Sequence, residues 1–305
     1  MKIAYQHLKK NIKSNPSNKE LSEKLFQLGH EHEISNNILD MEFTPNRGDC
    51  LSLDGLLRDL ALFYNVSLKR DYYKDEIDTF EIDFVNNSEK FCNKISFLKI
   101  QVKDIPNEYN GLMKNYFSDL DIKKNNFFAD VSNYISYETG QPTHCYDSEK
   151  IYGPIKLEFL DKSCKFETLL EKTIELDKQS LVFVDGNNQI INLAGIIGAK
   201  NTSCHPNTKS VIVECAYFDP EIILGKSLKY GINSEAAHKF ERNTDRESHD
   251  YVLRRFIKIV ENHADIEKIE LFTKSYATPK IIEIPFDLNA VNQILGTKIN
   301  KTEYY

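Results

Sequence analysis

The sequence has 305 residues, 41% hydrophobic and 28% charged, which is the composition of a globular protein long enough for two or three domains. Neither a membrane-length apolar run nor the apolar stretch of a secretory signal is found, so we expect a cytoplasmic protein without a membrane partner. The net charge of −7 disfavours a generic attraction to phosphates, so any basic surface for nucleic acid has to be local.

The cysteines and histidines give no strong sign of a metal site. The six cysteines are scattered without a C-x-x-C pair, and we expect them to be reduced and mostly buried. His30 and His32 would share one face of a strand, but no third ligand is near them in sequence. We therefore predict a solvated charged edge there and no metal, and we expect His205 and His249 at the surface.

Two helical units open the chain. Ser17 and Glu20 have the spacing of a capping box for a helix within 14–29, whose apolar face is Leu21, Leu25 and Leu28. The loop at 44–50 follows, and Ser52 can cap a second helix with an apolar face at Leu56, Leu57 and Leu60.

The remaining pattern mixes strands and helices. Alternating or continuous apolar residues predict strands at 95–102, 155–159 and 211–213, and a hairpin at 181–193. Helical periodicity returns at 245–263, and Pro279 opens a strand followed by a helix. No regular β-α-β alternation is present, so the predicted class is α+β.

Four segments combine Gly or Pro with polar residues beside apolar strands, a pattern typical of a pocket lining; they are 130–147, 192–203, 213–220 and 234–245. No phosphate-binding glycine loop and no H-E-x-x-H motif accompanies them. The four segments therefore carry the functional argument.

In this order, and with the TPNRGDC loop and the MKIAYQHLKK terminus, the segments resemble the proofreading region of the bacterial phenylalanyl-tRNA synthetase β chain. The resemblance runs from Met1 to about Gly296. It implies a small helical N-terminal domain at 1–85, a mixed α/β tRNA-binding and editing domain at 86–275, and the start of a winged-helix-like domain at 276–305. The sequence thus looks like a partial chain that lacks the family's C-terminal domains.

One further departure from the family lies near the amino terminus. The family usually inserts an oligonucleotide-binding (OB) barrel before the TPNRGDC loop, but only Glu31 to Phe43 are available here. We expect the helix ending near Gly29 to pack in one small domain with the helix that begins near Leu53.

The resemblance implies hydrolysis of tyrosyl-tRNA(Phe), with His144 and Asn133 as catalytic residues and Glu214 as acceptor for the phenolic hydroxyl. The editing pocket it implies also contains Ser132, Ala194, Gly195, Ser234 and Ala236. Lys123 stands where many members have an arginine for the tRNA end. We expect Glu214, His144, Asn133, Gly195 and Ala236 in one cleft, with a ring-sized gap between His144 and Glu214.

Other interpretations of these residues stay open. Glu214 can be a structural ion-pair partner, His144 a hydrogen-bonded loop histidine, and Ser132 and Asn133 can cap a turn. Gly195 and Gly198 can serve backbone geometry alone.

The function likewise has alternatives. The leading prediction is the editing part of a phenylalanine–tRNA ligase, with the α chain (α2β2 when complete) and tRNA(Phe) as partners. The alternatives are a non-catalytic scaffold and RNA-binding module that supports the α chain, and a freestanding editing factor. We expect no ligation site and no cofactor in this chain, with ATP and magnesium confined to the complete enzyme.

Overall fold

The structure, a computed structural model, describes residues 1–278 and 282–304. Its helices are α1 (Tyr5–Lys9), α2 (Asn18–Gln27), α3 (Leu53–Leu60), α4 (Gly111–Asp119), α5 (Phe127–Thr139), α6 (Pro220–Ile223), α7 (Lys226–Tyr230), α8 (Glu235–Phe240), α9 (His249–Glu261), α10 (Leu288–Leu295) and α11 (Lys301–Tyr304). Its strands are β1 (Lys2–Ala4), β2 (Glu31–Ser35), β3 (Ile38–Glu42), β4 (Asp78–Thr79), β5 (Phe84–Asn86), β6 (Lys94–Val102), β7 (His144–Asp147), β8 (Ile155–Phe159), β9 (Cys164–Glu167), β10 (Thr173–Leu176), β11 (Leu181–Val184), β12 (Ile190–Leu193), β13 (Ile197–Gly198), β14 (Ser210–Tyr217) and β15 (Ile266–Ser275). The predicted α+β class is confirmed.

The two N-terminal helices begin at the caps that the sequence predicts, and a small sheet accompanies them. Ser17 and Glu20 make both bonds of the capping box on α2, and the Ser52 hydroxyl accepts from Gly55 N at the start of α3. The apolar faces of α2 and α3 lie in one hydrophobic cluster with α5 and α9. The domain boundaries near residues 85 and 275 stay predictions.

Residues Glu31 to Phe43, which separate the two predicted helical units, hold a hairpin. β2 and β3 pair antiparallel through a two-residue turn, and β1 pairs with the other edge of β3. Asn36 and Asn37 have φ values of 48° and 63° in that turn, a conformation that asparagine tolerates better than most residues.

Three layers make up most of the rest of the structure, and β9 and β10 pair with each other in a separate two-stranded sheet. The central sheet has the strand order β4-β15-β6-β14-β7, and α5 and α9 cover one face of it. A second sheet, β13-β12-β11-β8-β5, shares a separate hydrophobic cluster with the other face. Alternation along β14 makes this possible, because Val211, Val213 and Cys215 face the helices while Ile212 and Ala216 face the second sheet.

Several local predictions were wrong. His30 and His32 are buried instead of forming a solvated edge, because Asp59 and Ser22 supply hydrogen-bond partners. His249 is also buried, with its Nδ1 3.1 Å from the Ser96 hydroxyl oxygen of the central sheet. His205 is exposed as expected.

The carboxyl-terminal segment differs from its prediction in part. Pro279, where a strand was expected to begin, lies outside the described residues, and 282–287 form no strand. The helix predicted after it is present as α10. None of the helices described at 1–278 and 282–304 has the length and hydropathy needed to cross a membrane.

Candidate active site

The candidate site lies between the two large sheets, where β7 and β14 of the central sheet face β12 of the second. Glu214 follows Val213 on β14, so strand alternation directs it away from the helices and toward the second sheet. His144 stands directly opposite Glu214 in the antiparallel pair of β7 and β14. The fold therefore places both side chains at the same point of the interface between the sheets.

Glu214 is a buried carboxyl with two hydrogen-bond donors. Its Oε2 accepts from the Tyr146 hydroxyl and from Asn192 Nδ2, the latter at 3.2 Å, and Asn192 also donates to the Tyr146 oxygen at 2.9 Å. Burial raises the pKa of Glu214 to about 7, although the bonds from Tyr146 and Asn192 favour the ionised form. This carboxyl therefore changes charge near neutral pH.

His144 is held neutral. Its ring stands edge-on to Tyr146, with centroids 4.5 Å apart, and burial lowers its pKa to about 4. Nε2 is buried and has no hydrogen-bond partner within residues 1–278 and 282–304. Gly198 packs against this ring so closely that an added Cβ would overlap with Cε1 and Nε2. The imidazole thus offers an unused nitrogen in a fixed place.

A turn and a short helix complete the site. Gly195 follows β12 with φ +70°, and an added Cβ would lie 2.7 Å from Ile223 Cδ1, so glycine is needed for conformation and for space. Ala236 and Phe240, one turn apart on α8, form the opposite wall. With Glu214 and His144 they line a partly open cavity of about 50 Å³. This volume accommodates a few water molecules, so an amino-acid ring can enter only if a wall moves.

The structure brings together four of the five residues expected in one cleft: Glu214, His144, Gly195 and Ala236. Asn133 is not among the residues that line the cavity. It lies exposed on α5, because the segment that looked irregular in sequence is helical up to Thr139, with Asn126 capping its start and Gly140 ending it.

The other expected site residues have mainly structural contacts. The Ser132 hydroxyl donates to Thr143 O at 2.6 Å, and the Ser234 hydroxyl donates to Ile196 O at 2.7 Å while capping α8. Ala194 is buried beside the site, and Lys123 is exposed in the loop between α4 and α5. Ser132 and Ser234 therefore position segments that line the cavity.

Sequence reasoning missed Asn192 and Tyr146, the two donors to Glu214. Both lie inside the segments that it singled out, and an asparagine within the apolar strand β12 is a signal of a buried polar contact. The sequence pattern does not predict how the two sheets pack on each other, and it is this packing that brings Asn192 and Glu214 together.

A second group of residues has the composition of a metal site. His30, Cys50 and Asp59 each bring one possible ligand atom within 4.8 Å of the others. The Arg47 guanidinium, however, donates to Cys50 Sγ at 2.7 Å and to Asp59 at 2.5 Å, so it already supplies a positive charge at this point. The six cysteines are free thiols, four of them buried and two partly exposed.

Comparisons with known proteins identify the family. Residues 96–265 match the B3/4 domain family, and this range includes every residue that lines the candidate site. The β subunit of phenylalanine–tRNA ligase from Fusobacterium nucleatum is 28% identical over 275 residues, covering 87% of this chain and 34% of that protein. The corresponding subunit of Aquifex aeolicus is 30% identical over 248 residues, covering 80% of this chain and 32% of that protein.

A solved structure is also similar. The N-terminal fragment of the phenylalanyl-tRNA synthetase β subunit from Pyrococcus horikoshii superposes with a TM-score of 0.45 at 14% identity, covering 99% of this chain and 86% of that one. This similarity is too low to support an inference. The chain spans about a third of the length of the curated relatives that it matches. By its B3/4 domain and these relatives, the chain belongs to the phenylalanyl-tRNA synthetase β-chain family and corresponds to the N-terminal part that carries this domain.

Proposed function

We propose that this chain binds the aminoacylated end of tRNA(Phe) and hydrolyses its ester when the amino acid is tyrosine. The observation that carries the proposal is a cavity lined both by the buried carboxyl of Glu214 and by His144, whose Nε2 has no hydrogen-bond partner among the described residues. The relatives are named as β subunits of a ligase, which supports a place in an assembly with an α chain in the cytoplasm. Neither ligation nor a cofactor is assigned to this chain.

Glu214 is the selectivity residue in this proposal. Tyrosine differs from phenylalanine by one hydroxyl, and a carboxylate is a strong acceptor for that group. Both described hydrogen bonds to Glu214 reach Oε2, so within 1–278 and 282–304 Oε1 is left for a ligand. Phenylalanine would leave the buried carboxylate without this partner, at a cost of about 1–3 kcal/mol. An apolar synthetic pocket rejects an added hydroxyl only weakly. A second site that binds the hydroxyl in this way can therefore remove tyrosine that was attached in error.

His144 is the residue proposed to hold the attacking water. Its neutral imidazole can accept a proton from water, and Nε2 has no competing partner among the described residues. An aminoacyl ester is already activated, so placing a water beside it supplies much of the rate. Asn133 lies outside the cavity, so its proposed catalytic role requires α5 or the ligand to bring it closer.

A non-catalytic scaffold that binds RNA and supports the α chain is the second candidate. The size of the cavity favours it, because about 50 Å³ does not hold a tyrosine ring without movement of a wall. Ala236 and Phe240 belong to the short helix α8, whose displacement would enlarge the space. The two candidates therefore differ in whether this wall opens.

Deacylation of tyrosyl- and phenylalanyl-tRNA(Phe) by this chain, alone and with an added α chain, separates them. The editing proposal expects faster loss of the tyrosyl ester, and expects replacement of His144 by Ala to slow it. A scaffold would bind tRNA and the α chain but leave both esters at their uncatalysed rates.

A further inference from the structure

Tyr146 places a phenol of the chain itself against the carboxyl that is proposed to recognise a phenol. Its hydroxyl donates to Glu214 Oε2, and its oxygen accepts from Asn192 Nδ2 at 2.9 Å. Asn192 Nδ2 also donates to Glu214 Oε2, at 3.2 Å. The chain therefore already contains the kind of hydrogen bond that a tyrosyl ligand would make with Glu214.

Tyr146 is placed to act on a ligand through Glu214. It is fully buried in the hydrophobic cluster between the two large sheets, with its ring edge-on to His144. It is not among the residues that line the candidate site, whereas Glu214 and Asn192 are. A phenol has one O–H to donate, and this one is already donated to the carboxyl. By these contacts Tyr146 is a positioning residue and not a group that touches the reacting atoms.

The bond from Tyr146 has two opposite effects on the carboxyl. Burial raises the pKa of Glu214, and the donated bond opposes this by favouring the ionised form, which is the stronger acceptor. The same bond is present whatever the ligand is, so a phenylalanyl ligand leaves the carboxylate only partly unsatisfied. The first effect makes Glu214 available as an acceptor near neutral pH, and the second weakens its discrimination between the two ligands.

We propose that Tyr146 sets the tyrosine selectivity of this site, as an internal phenol that shares Glu214 with the hydroxyl of the ligand. The inference rests on the proposed function in one respect, since it takes the hydroxyl of the ligand to bind Glu214; it does not require hydrolysis. Asn192 donates to the same oxygen and acts in the same direction, but it also lines the cavity, so its replacement changes the shape of the site.

Glu214 is the group that should titrate in this part of the interface between pH 6 and pH 9. Its partner on β6 is Phe97, and from β12 Asn192 contacts it, so neither strand adds a charge there. The ionisable side chains that interact with it or stand opposite it are neutral in this range: burial lowers the pKa of His144 to about 4 and raises the pKa of Cys92, Cys145, Tyr146 and Cys215. None of the ionisable residues of α8, all of which the structure describes, lines the cavity.

Calorimetric titration of the full chain with two aminoacyl adenosines, tyrosyl and phenylalanyl, in which an amide replaces the ester, tests the proposal. The readout is the ratio of the two affinities between pH 6 and pH 9, in which the α-amino group cancels because both ligands carry it. In the wild type the ratio should favour the tyrosyl ligand and rise through about pH 7, as Glu214 ionises.

Tyr146→Phe keeps the ring and its contact with His144 and removes only the hydroxyl. Its affinity ratio should level off about threefold or more above that of the wild type, within the coupling range of groups that share one hydrogen-bond network. The pH at the midpoint of the rise should also move upward by about one unit or more, because the ionised carboxyl has lost a donor. Should this variant fail to fold, Asn192→Ala removes the other donor to Oε2 and should move the midpoint in the same direction.

Tyr230→Phe is the matched control. It removes a buried hydroxyl that bonds to Ser180 away from the cavity, so the ratio and its midpoint should stay as in the wild type. A merely structural Tyr146 would change both affinities alike and leave the ratio and the midpoint in place. That result, or a wild type that binds neither amide, would overturn the inference.

Deacylation of the two esters by the same proteins distinguishes this inference from the proposed function. A ratio that shifts in Tyr146→Phe without hydrolysis in any variant would support the role of Tyr146 and refute the editing activity. Selective hydrolysis with an unchanged ratio and midpoint would refute the role of Tyr146 and leave the editing activity in place.

Discussion

His144 and Glu214 are directly opposed on neighbouring antiparallel strands, and their functional atoms have different neighbours. Opposed residues of this kind hold their Cβ atoms roughly 4.5–5.5 Å apart. The carboxylate then turns to Tyr146 and Asn192, whereas the imidazole Nε2 turns to Gly198. Both side chains line the same cavity but have different neighbours, and the ring-sized gap expected between them stays a prediction.

Removing the carboxylate should remove selectivity. Glu214→Ala should reduce the preference for the tyrosyl over the phenylalanyl ester by about tenfold or more, the effect of one hydrogen bond to a charged group. Glu214→Gln keeps the shape and should lose most of the same preference. Deacylation rates of the two esters check this, and an unchanged tyrosine preference in both variants would make Glu214 a structural residue.

The same carboxyl should make stability depend on pH. The pKa of Glu214 is about 7 in the folded chain against an ordinary 4.5. Between these values the folded state binds more protons than the unfolded state, so the contribution of Glu214 to stability falls as pH rises through this window. Above pH 7 the free energy of unfolding is therefore lower by about 3 kcal/mol, since a shift of one pKa unit corresponds to about 1.4 kcal/mol.

Denaturant unfolding of wild type and Glu214→Gln checks this sign. The variant should be more stable at pH 8, and the difference should shrink toward pH 4.5 because both side chains are then neutral. Contributions from other groups cancel between the two proteins. A difference that does not change with pH would show that Glu214 titrates at its ordinary value.

Gly198→Ala should act through His144. The added Cβ would overlap with the imidazole and would lie 3.3 Å from Leu169 Cδ2; both are side chains and not backbone, so we expect the ring to be displaced while the fold is retained. We expect hydrolysis of the tyrosyl ester to fall as far as in His144→Ala. In the double mutant the two effects should not add, since both remove the same placed nitrogen. Full additivity would assign Gly198 a role independent of the histidine.

Gly48→Ala should destabilise the fold instead. An added Cβ would overlap with the backbone carbonyl oxygen of Arg242, just beyond α8, and backbone cannot turn aside as a side chain can. We expect a loss of about 1–3 kcal/mol in the free energy of unfolding, as for other overpacked sites. Asn46→Ala, an exposed change in the same loop, is the control and should stay within about 0.5 kcal/mol.

Local patterns predicted the elements well because their causes are local. Ser17 and Ser52 cap their helices through backbone N–H groups only three residues away. Alternation in β14 is a property of the strand itself, so the inward position of Glu214 follows once the apolar residues are assigned to the helix side.

What the sequence did not contain is the contact between distant segments. Asn192 reaches Glu214 only because the second sheet packs on the central one, and Asn133 is turned outward by a helix whose polar residues had suggested a loop. The predicted exposure of His32 and His249 was wrong for the same reason. Their polar neighbours in sequence do not show that hydroxyl groups from other segments form hydrogen bonds with them in the fold.

The hairpin of β2 and β3 has a consequence for where this chain can accept additional residues. Its turn, Asn36–Asn37, is exposed, and the strands that it joins pair along their whole length. A module can therefore be gained or lost at this turn without repacking the leucines beneath, because the two strand ends are already adjacent. We therefore expect insertions at this turn to leave the N-terminal core of this chain intact.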